Sequence, residues 1–410
     1  MPGPVSPLAP EQIAAPPPLA GVRLGTARAG IRYRDRTDLM LAVLDPGTAV
    51  AGVFTRSLTP GAPVDWCRRC LPRGTARAIV VNSGNANVFT GRAGRAAVEE
   101  TAAAAARLLA CDAGDIYLSS TGVIGETLPA GKLVEALPQA LADASEAGWR
   151  AAAEAIMTTD TFPKLATASA AIGGARVTLN GIAKGSGMIA PDMATMLAYV
   201  FTDAAIPAAV LQALLKAANE RSFNCITVDG DTSTSDTVLL AATGRAGNGP
   251  PASAADPALR EFRRALDRVM IDLAQQIVRD GEGAEKFVTI EVAGASSARA
   301  ARRIGFAIGN SPLVKTALAA GDANWGRIVM AVGKSGEKAD RDRLKIAVGG
   351  VTIAEAGGPV PGYDEAPVAR HMAGRDIRIA VDLGIGRGRA TIWTCDLTHR
   401  YIDINGSYRS

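Results

Sequence analysis

The segment "KGSGMIAPDMATMLAYVFTDA", from Lys184 to Ala204, is the stretch on which the interpretation of this chain depends. Its first half is small and polar, its second half is apolar, and a single threonine, Thr195, stands at the junction. The apolar half has the composition of a buried strand, so the segment predicts a rigid element that begins just after this threonine. A threonine next to such an apolar run can be an ordinary core residue with no chemical role. The remainder of the chain has to separate that role from a chemical one.

Composition excludes several classes of function. A chain of 410 residues is long enough for two domains, and its net charge of +4 is too small to indicate nucleic-acid or anionic-membrane binding. No apolar run reaches the roughly 18 residues that a membrane span requires. The N-terminus has no cationic start followed by an apolar run, so it does not resemble a secretory signal. The sequence therefore predicts a cytoplasmic protein without nucleic-acid or membrane partners.

Predicted strands and helices alternate along the chain. Arg77–Val81 reads as a strand, a helix follows over residues 93–110, and a second strand-like stretch ends in a turn at Ser119–Gly125. Gly131–Met157 reads as one long helical region. Beyond residue 286 the stretches "FVTIEVA", "LKIAVGGVTIAEA", "DIRIAVDLG" and "RATIWTC" are strand-like, with helices between them. The pattern is α/β with a mixed C-terminal sheet.

The cysteines and the glycine-rich loops indicate neither a metal nor a cofactor. "CRRC" at Cys67–Cys70 has the spacing of a zinc or redox site, but no second pair follows and the chain has only two histidines. "GIGRGRA" precedes a strand rather than a helix, and "AVGKSG" and "DGDTSTSD" lack key positions of the phosphate and calcium loops that they imitate. We therefore predict no metal and no cofactor.

The shortage of histidine points to a different kind of base. His371 and His399 both lie outside any G-x-S-x-G turn, so a Ser-His-Asp system is not supported. A hydroxyl residue at a new N-terminus can use its own α-amine, whose reference pKa is about 7.7 to 8.0, as the base. Internal cleavage after the small Ala194 would make Thr195 such a residue. From composition alone, a core threonine remains the open alternative.

A set of longer motifs changes this balance. The chain contains "NSGNAN", "SSTGVIGE", "TTDTFPK", "KGSGMIAPDMATML", "FNCITVDGDTSTSD", "DGEGAEKF", "GDANWGRI", "WTCDLT" and "YIDINGSYRS". With these motifs in this order, the chain resembles the ornithine acetyltransferase family, the glutamate N-acetyltransferases of arginine biosynthesis. The match is spread over most of the length.

The resemblance implies a fold and an assembly. It implies a layered α/β/β/α sandwich of the self-processing aminopeptidase and ornithine acetyltransferase type, with a smaller α/β C-terminal domain. The prolines near the N-terminus predict an extended, poorly ordered arm over residues 1–18. The divisions that follow it are a catalytic domain over 19–280 and a C-terminal domain over 281–410 that closes over the active site. Family members assemble from two α and two β chains made from one precursor.

The resemblance also implies a reaction. Self-cleavage between Ala194 and Thr195 would expose Thr195 as the nucleophile, which would accept the acetyl group of N-acetylornithine and pass it to glutamate. Thr121 and Gly122 of the "STG" turn would form the oxyanion hole. Whether acetyl-CoA is a second donor is left open, because the chain has no separate CoA-binding motif.

Substrate contacts carry over from the same motifs. Lys184 would neutralise a substrate carboxylate and Glu282 would pair with a substrate ammonium. The implied substrate-binding residues are Thr158, Lys184, Thr195, Glu282, Asn405 and Ser410, and the last two require a C-terminus that folds back over the pocket.

Two departures and two alternatives accompany this interpretation. Ala190 and Asp192 stand where histidine and asparagine are expected, and the ending "SYRS" differs from the usual one. An N-terminal-nucleophile amidase or aminopeptidase on the same scaffold would transfer the acyl group to water even with glutamate present. An unprocessed amino-acid-binding or regulatory protein would keep Thr195 as plain core.

Overall fold

The computed structural model of the chain describes residues 4–13, 15–190 and 196–407. The strands in chain order are β1 Val22–Ala27, β2 Leu39–Leu44, β3 Ala49–Phe54, β4 Ala78–Asn85, β5 Ile116–Val123, β6 Lys164–Ile172, β7 Ala175–Lys184, β8 Leu197–Thr202, β9 Thr237–Ala242, β10 Phe287–Ala295, β11 Lys345–Val348, β12 Val351–Glu355, β13 Gly358–Pro359, β14 Asp376–Asp382 and β15 Gly388–Cys395.

The helices separate these strands. In chain order they are α1 Ala62–Cys70, α2 Gly91–Leu109, α3 Ala130–Ala142, α4 Trp149–Ala155, α5 Ala208–Asn219, α6 Arg260–Arg279, α7 Ala298–Gly309, α8 Pro312–Ala319, α9 Trp325–Gly333, α10 Glu365–Ala373 and α11 His399–Ser407. None of the described helices is long and apolar enough to cross a membrane.

Within the described residues the strands form three sheets. Sheet A has the order β1-β2-β4-β5, sheet B the order β3-β9-β8-β7-β6, and sheet C the order β13-β12-β11-β14-β10-β15. In sheet B, β8 pairs antiparallel with β7 and parallel with β9. The strand that follows Thr195 therefore lies in the middle of its sheet.

Sheets A and B pack face to face and helices cover their outer faces. Strand β8 shows the two-residue alternation that this requires, because Tyr199 faces the core between the sheets while Val200 faces the layer of α5 and α6. On the other side, Leu39 and Leu41 of β2 pack against α2 and α3. The layers follow the order helix, sheet, sheet, helix, which is the predicted α/β/β/α sandwich.

Sheet C continues from the same core. Val288 of β10 and Ile379 of β14 belong to the hydrophobic cluster that also holds Leu266 of α6. Helix α7 packs on β10 and β15. The predicted division between residues 280 and 281 stays a prediction, since this apolar core runs across it.

Three local predictions need correction. The turn predicted at Ser119–Gly125 is strand as far as Val123, because β5 pairs with β4 through that stretch. The helical region predicted over Gly131–Met157 is broken between α3 and α4, where Ser145 forms a bridge with Leu24 of β1 and cannot remain helical.

The third correction concerns the proline-rich arm, which was predicted to be poorly ordered. In the described part of the arm, Leu8 is buried in the core and the Ser6 hydroxyl donates to the Arg279 carbonyl at 2.6 Å. The amide of Ser6 also donates to Thr161 Oγ1 at 2.9 Å. One apolar side chain and these hydrogen bonds are enough to hold an extended segment against the domain.

Candidate active site

A cleft of about 190 Å³ lies at the end of sheet B where β7 stops and β8 begins. Leu197, the first residue of β8, pairs with Lys184, the last residue of β7. The cleft brings together these residues that the sequence singled out: Thr121, Gly122, Thr158, Lys184, Glu282 and Asn405. They come from segments far apart in the chain.

Ala194, Thr195 and Ser410 lie outside the described residues, as does Asp192. The first described residue after Thr195 is Met196, whose amide donates to Asp236 Oδ1 at 2.9 Å. The Met196 carbonyl accepts from the amide of Thr237 at 3.2 Å. Both the amide and the carbonyl of Met196, just before β8, are therefore hydrogen-bonded.

The predicted oxyanion residues lie at the end of β5, where it runs parallel to β4. Gly122 has φ of +131°, and a side chain there would place its Cβ 2.4 Å from the carbonyl carbon of Gly84. Only glycine fits, because the backbone is both left-handed and in contact with a neighbouring strand. Below it, Ser120 Oγ donates to Asn82 Oδ1 at 2.6 Å. The strand end that presents Thr121 and Gly122 is thus rigid.

Lys184 contacts both hydroxyls that line this side of the cleft. Its Nζ donates to Thr158 Oγ1 at 2.9 Å and to Thr121 Oγ1 at 3.3 Å. Because each threonine accepts from the lysine, each keeps its own proton to donate towards a bound group. Burial lowers the pKa of Lys184, and the charge of Asp160 opposes that shift.

A buried charge network lies behind Lys184. Lys164 Nζ donates to Asp160 Oδ1 at 2.7 Å and to Asp280 Oδ2 at 2.6 Å, and the side chains of all three are inaccessible to solvent. Asp160 Oδ2 lies 3.9 Å from Lys184 Nζ. Burial alone would raise the pKa of Asp160, but Lys164 and Lys184 outweigh it and hold that pKa below its usual value. Asp160 therefore stays charged and fixes the ammonium of Lys184.

The opposite wall carries Glu282. Its Oε2 accepts from Asn405 Nδ2 at 2.7 Å, and its amide donates to the Ser186 carbonyl at 3.0 Å. Gly187 lets the Glu282 carboxylate lie here, since a Cβ at that position would come within 2.3 Å of Oε2 and displace the carboxylate. Burial raises the pKa of Glu282, and hydrogen bonds from Asn405 and Thr159 oppose that shift.

The C-terminal helix α11 brings Asn405 to the cleft. The Thr398 hydroxyl donates to the Gly283 carbonyl at 2.7 Å, and Tyr401 OH donates to Asp229 Oδ2 at 3.3 Å. Asp229 also accepts from the amides of Met188 and Ile189 at 2.6 and 2.9 Å. One carboxylate thus joins the C-terminal helix to the loop that precedes the predicted cleavage site.

The cleft is amphoteric and small. A basic group, Lys184, and an acidic group, Glu282, line it together with several hydroxyl side chains. Its volume is below the roughly 300–1,000 Å³ of pockets for drug-sized ligands. It has the chemistry and the size for one amino acid with a free carboxylate.

Comparison with known proteins shows the family of this chain. The ArgJ family matches residues 23–410. Arginine biosynthesis bifunctional protein ArgJ of Gluconobacter oxydans (strain 621H) is 60% identical over 409 residues, which cover 100% of this chain and 96% of that protein. The chain belongs to the ArgJ family. The ArgJ protein of Brucella suis biovar 1 (strain 1330) is 59% identical, with 99% of each chain covered.

A solved ArgJ structure also resembles part of the chain. The arginine biosynthesis bifunctional protein ArgJ of Bacillus halodurans is 40% identical, with a TM-score of 0.49. The match covers 50% of this chain and 96% of that one. Family membership itself follows from the sequence matches, which make the protein an acyltransferase of arginine biosynthesis.

Several residues of this ArgJ site were not singled out from the sequence. Asp236 holds the Met196 amide, Asp160 and Asp280 hold the lysines, and Asp229 joins the loops. Asp160, Asp229 and Asp236 all lie within motifs that were quoted, "TTDTFPK" and "FNCITVDGDTSTSD". Membership in a motif was the available signal for these aspartates, but no local pattern shows which distant amide or ammonium each one contacts.

Proposed function

We propose that this protein cleaves its own chain between Ala194 and Thr195 and then uses Thr195 to move an acetyl group from N-acetylornithine to glutamate. One observation carries the proposal. Thr121, Gly122, Lys184 and Glu282 line a single cleft beside the start of β8, the strand that follows Thr195. Oxyanion donors, a cation and a carboxylate are the groups that acyl transfer between amino acids needs.

In this proposal each charged group of N-acetylornithine has a partner of opposite charge in the cleft. Lys184 takes the α-carboxylate, helped by the Thr158 hydroxyl, which accepts from the lysine and so has its proton free. Glu282 takes the side-chain ammonium, with Asn405 holding the carboxylate in place. The acetyl group between these ends then faces the strand end with Thr121 and Gly122.

The first half-reaction is attack of the Thr195 hydroxyl on the acetyl carbonyl carbon. The α-amine released by self-cleavage takes the hydroxyl proton and later gives it to the leaving nitrogen. The Gly122 amide and the Thr121 hydroxyl stabilise the negative oxygen of the tetrahedral intermediate, a contribution of about 3 kcal/mol per donor. The carbon–nitrogen bond breaks, and ornithine leaves an acetyl ester on Thr195.

The second half-reaction reverses these steps with glutamate. Its neutral amine attacks the ester carbon, the ester bond to Thr195 breaks, and the Thr195 hydroxyl regains its proton. Lys184 binds the carboxylate of the acceptor, as it bound that of the donor. The amidase alternative differs at this step only, because water would take the place of the amine.

The assembly and the second donor complete the proposal. We infer two α and two β chains from one precursor, acting in the cytoplasm. The curated relatives are named bifunctional. On that basis acetyl-CoA is proposed as a second acetyl donor to the same Thr195.

Intact mass spectrometry of the denatured protein tests the cleavage. Cleavage before Thr195 gives chains of 194 and 410 − 194 = 216 residues. A single chain of 42.1 kDa would overturn the proposed nucleophile, because its amine would still be in a peptide bond. Thr195→Ala should remain uncleaved and inactive.

A kinetic assay then separates transfer from hydrolysis. Release of ornithine from N-acetylornithine should depend on glutamate, with N-acetylglutamate formed in equal amount. Release at the same rate without glutamate would identify an amidase instead. Thr121→Ala should be cleaved at least partly and should turn over more slowly, by roughly a hundredfold.

A further inference from the structure

A second, larger cleft of about 1,420 Å³ lies on the chain away from the substrate cleft, and no lining residue is common to both. It runs between α7, the end of α5 and β15. Its lining contains seven basic side chains and one carboxylate, Glu220. The whole chain has a net charge of only +4, so positive charge is concentrated in this cleft.

Six of the seven basic residues of the cleft fall into two groups, and the seventh, Arg56, already has an interaction within the chain. Some are neutralised by carboxylates of the chain itself. These ion pairs are Arg221 with Asp267 at 2.8 Å, Arg303 with Glu337 at 3.0 Å, and Arg302 with Glu220. In contrast, Arg299, Lys334 and Arg389 are exposed and have no ion-pair partner among the residues that the structure describes.

Three unpaired cations in one concave surface repel one another, and a cleft of one sign concentrates the field that attracts anions. Arginine binds phosphate with two parallel hydrogen bonds, and lysine binds it as a point charge. The floor is apolar, with Ile271, Phe306 and Trp393. A ligand that fits has clustered phosphates at one end and a flat organic group at the other.

We propose that this cleft binds a small organic polyphosphate of the nucleotide class, through Arg299, Lys334 and Arg389. Two sources share this chemistry: the phosphate-bearing end of acetyl-CoA, and a free nucleotide that acts as an effector. The binding site itself does not depend on the proposed acetyl transfer; only the first source does.

The cleft is connected to the substrate cleft through one wall. Asn310 lines the basic cleft, and its Oδ1 lies 2.6 Å from Thr227 Oγ1. The same hydroxyl lies 3.1 Å from the Ile189 carbonyl, next to Met188 in the lining of the substrate cleft. A ligand in the basic cleft therefore lies against the wall that supports the segment before the proposed cleavage site.

The direct test is calorimetric titration of the intact purified protein with ADP, pyrophosphate and CoA. The variant Arg299→Ala/Lys334→Ala/Arg389→Ala should bind ADP and CoA about tenfold more weakly or worse. The matched control is Arg92→Ala/Arg95→Ala/Arg107→Ala. It removes three exposed cations of α2 that do not line the cleft and have no ion-pair partner among the described residues.

Absence of binding by the unaltered protein would overturn the proposal. Equal weakening by the two triple variants would also overturn it, because the attraction would then be general electrostatics. Since none of the six side chains has an ion-pair partner to lose among the described residues, neither variant should have a lower thermal midpoint than the unaltered protein.

Kinetics with each acetyl donor distinguishes the two sources. If the phosphates are those of acetyl-CoA, the cleft variant raises KM for acetyl-CoA about tenfold and leaves KM for N-acetylornithine unchanged. If ADP binding is lost while KM for acetyl-CoA is unchanged, the ligand is a free nucleotide. Failure of acetyl transfer itself, with ADP still bound, would refute the proposed reaction and leave the site intact.

Discussion

Asp236 joins Met196, the residue just before β8, to the loop that lines the substrate cleft. It is fully buried, its Oδ1 accepts from the Met196 amide, and its Oδ2 has no hydrogen-bond partner among the described residues. Burial raises the pKa of Asp236 well above its usual value. A neutral carboxyl that still accepts one amide hydrogen bond is consistent with such surroundings.

Substitution of Asp236 therefore tests the hydrogen bond to the Met196 amide apart from the ionisable carboxyl. Asp236→Asn keeps an oxygen for the Met196 amide and should cleave at a rate within about threefold of the unaltered chain. Asp236→Ala leaves that amide unpaired, which costs about 1–3 kcal/mol, and should slow cleavage about tenfold or more. A time course by intact mass measures both. Cleavage of the alanine variant at the unaltered rate would show that the contact is dispensable.

Glu282 and Lys184 together set a pH window for binding of N-acetylornithine. Because the pKa of Glu282 is raised, its carboxylate is lost at a higher pH than for an ordinary glutamate as pH falls. Because the pKa of Lys184 is lowered, its charge is lost at a lower pH than for an ordinary lysine as pH rises. KM should therefore rise on both sides of a window narrower than the reference pKa values allow.

The variant Glu282→Gln identifies the acid side of that window. It cannot titrate, so KM for N-acetylornithine should be raised about tenfold within the window and should lose its rise towards acid pH. The rise towards alkaline pH should remain, because Lys184 is untouched. An acid limb that persists unchanged in this variant would assign it to another group.

At this scale the sequence singled out residues that lie together in the structure, but it did not predict the contacts that hold them. Thr121, Lys184, Glu282 and Asn405 were predicted from motifs, and the structure brings them into one cleft. The partners that hold them could not be predicted. The reason is physical: Asp280 contacts Lys164 from 116 positions away, and no local pattern encodes that proximity.

Among the elements, the β4–β5 pair determines where the proposed oxyanion donors, Thr121 and Gly122, lie. Gly84 and Gly122 are register partners, and each has positive φ, +96° and +131°. Gly122→Ala would force the two strand ends apart and displace the Gly122 amide. Acetyl transfer should fall about a hundredfold or more, the size seen when an oxyanion donor is lost. Steady-state kinetics of the cleaved protein measures this.

Gly125→Ala is the matched control for that prediction. Gly125 also has a positive φ, +85°, but a Cβ there would meet nothing within 4 Å. Gly125→Ala therefore introduces the backbone strain of an alanine at positive φ, which lowers the free energy of unfolding by about 1–3 kcal/mol, without the steric collision. Equal loss of kcat in both variants would mean that strain, rather than the position of the amide, explains the effect.

The sequence predicted the type of an element correctly where burial and hydrophobic periodicity agree. It predicted the wrong type where pairing with a distant segment determines the structure. Strand β8 followed from its apolar run, and all of its residues are buried. The break between α3 and α4 did not follow, because alanine-rich sequence favours helix throughout. There, Gly148 lies against the Leu24 carbonyl, where a Cβ would come within 2.2 Å, so tertiary contact outweighs propensity.

Over the whole molecule, the described segments near both chain ends connect to the site. The arm reaches Thr161, whose hydroxyl donates to Asp280, and the C-terminal helix reaches Glu282 through Asn405. The active site thus depends on chain ends that composition alone describes as proline-rich or polar. The order of the arm was not predictable, because over residues 4–13 one buried leucine among nine exposed or half-buried neighbours leaves no periodic signal.

Leu8→Ala tests whether the arm supports the site. Leu8 is 5% exposed in the main core, so truncation should lower the free energy of unfolding by about 2–5 kcal/mol. Val5→Ala is the control, since Val5 is 60% exposed and its loss should change stability by less than about 0.5 kcal/mol. Urea unfolding of the cleaved protein measures both. Because Ser6 contacts Thr161 beside the Asp280–Lys164–Asp160 network, Leu8→Ala should also raise KM for N-acetylornithine, whereas Val5→Ala should not. A destabilised variant with unchanged KM would show that the arm stabilises the fold without positioning Lys184.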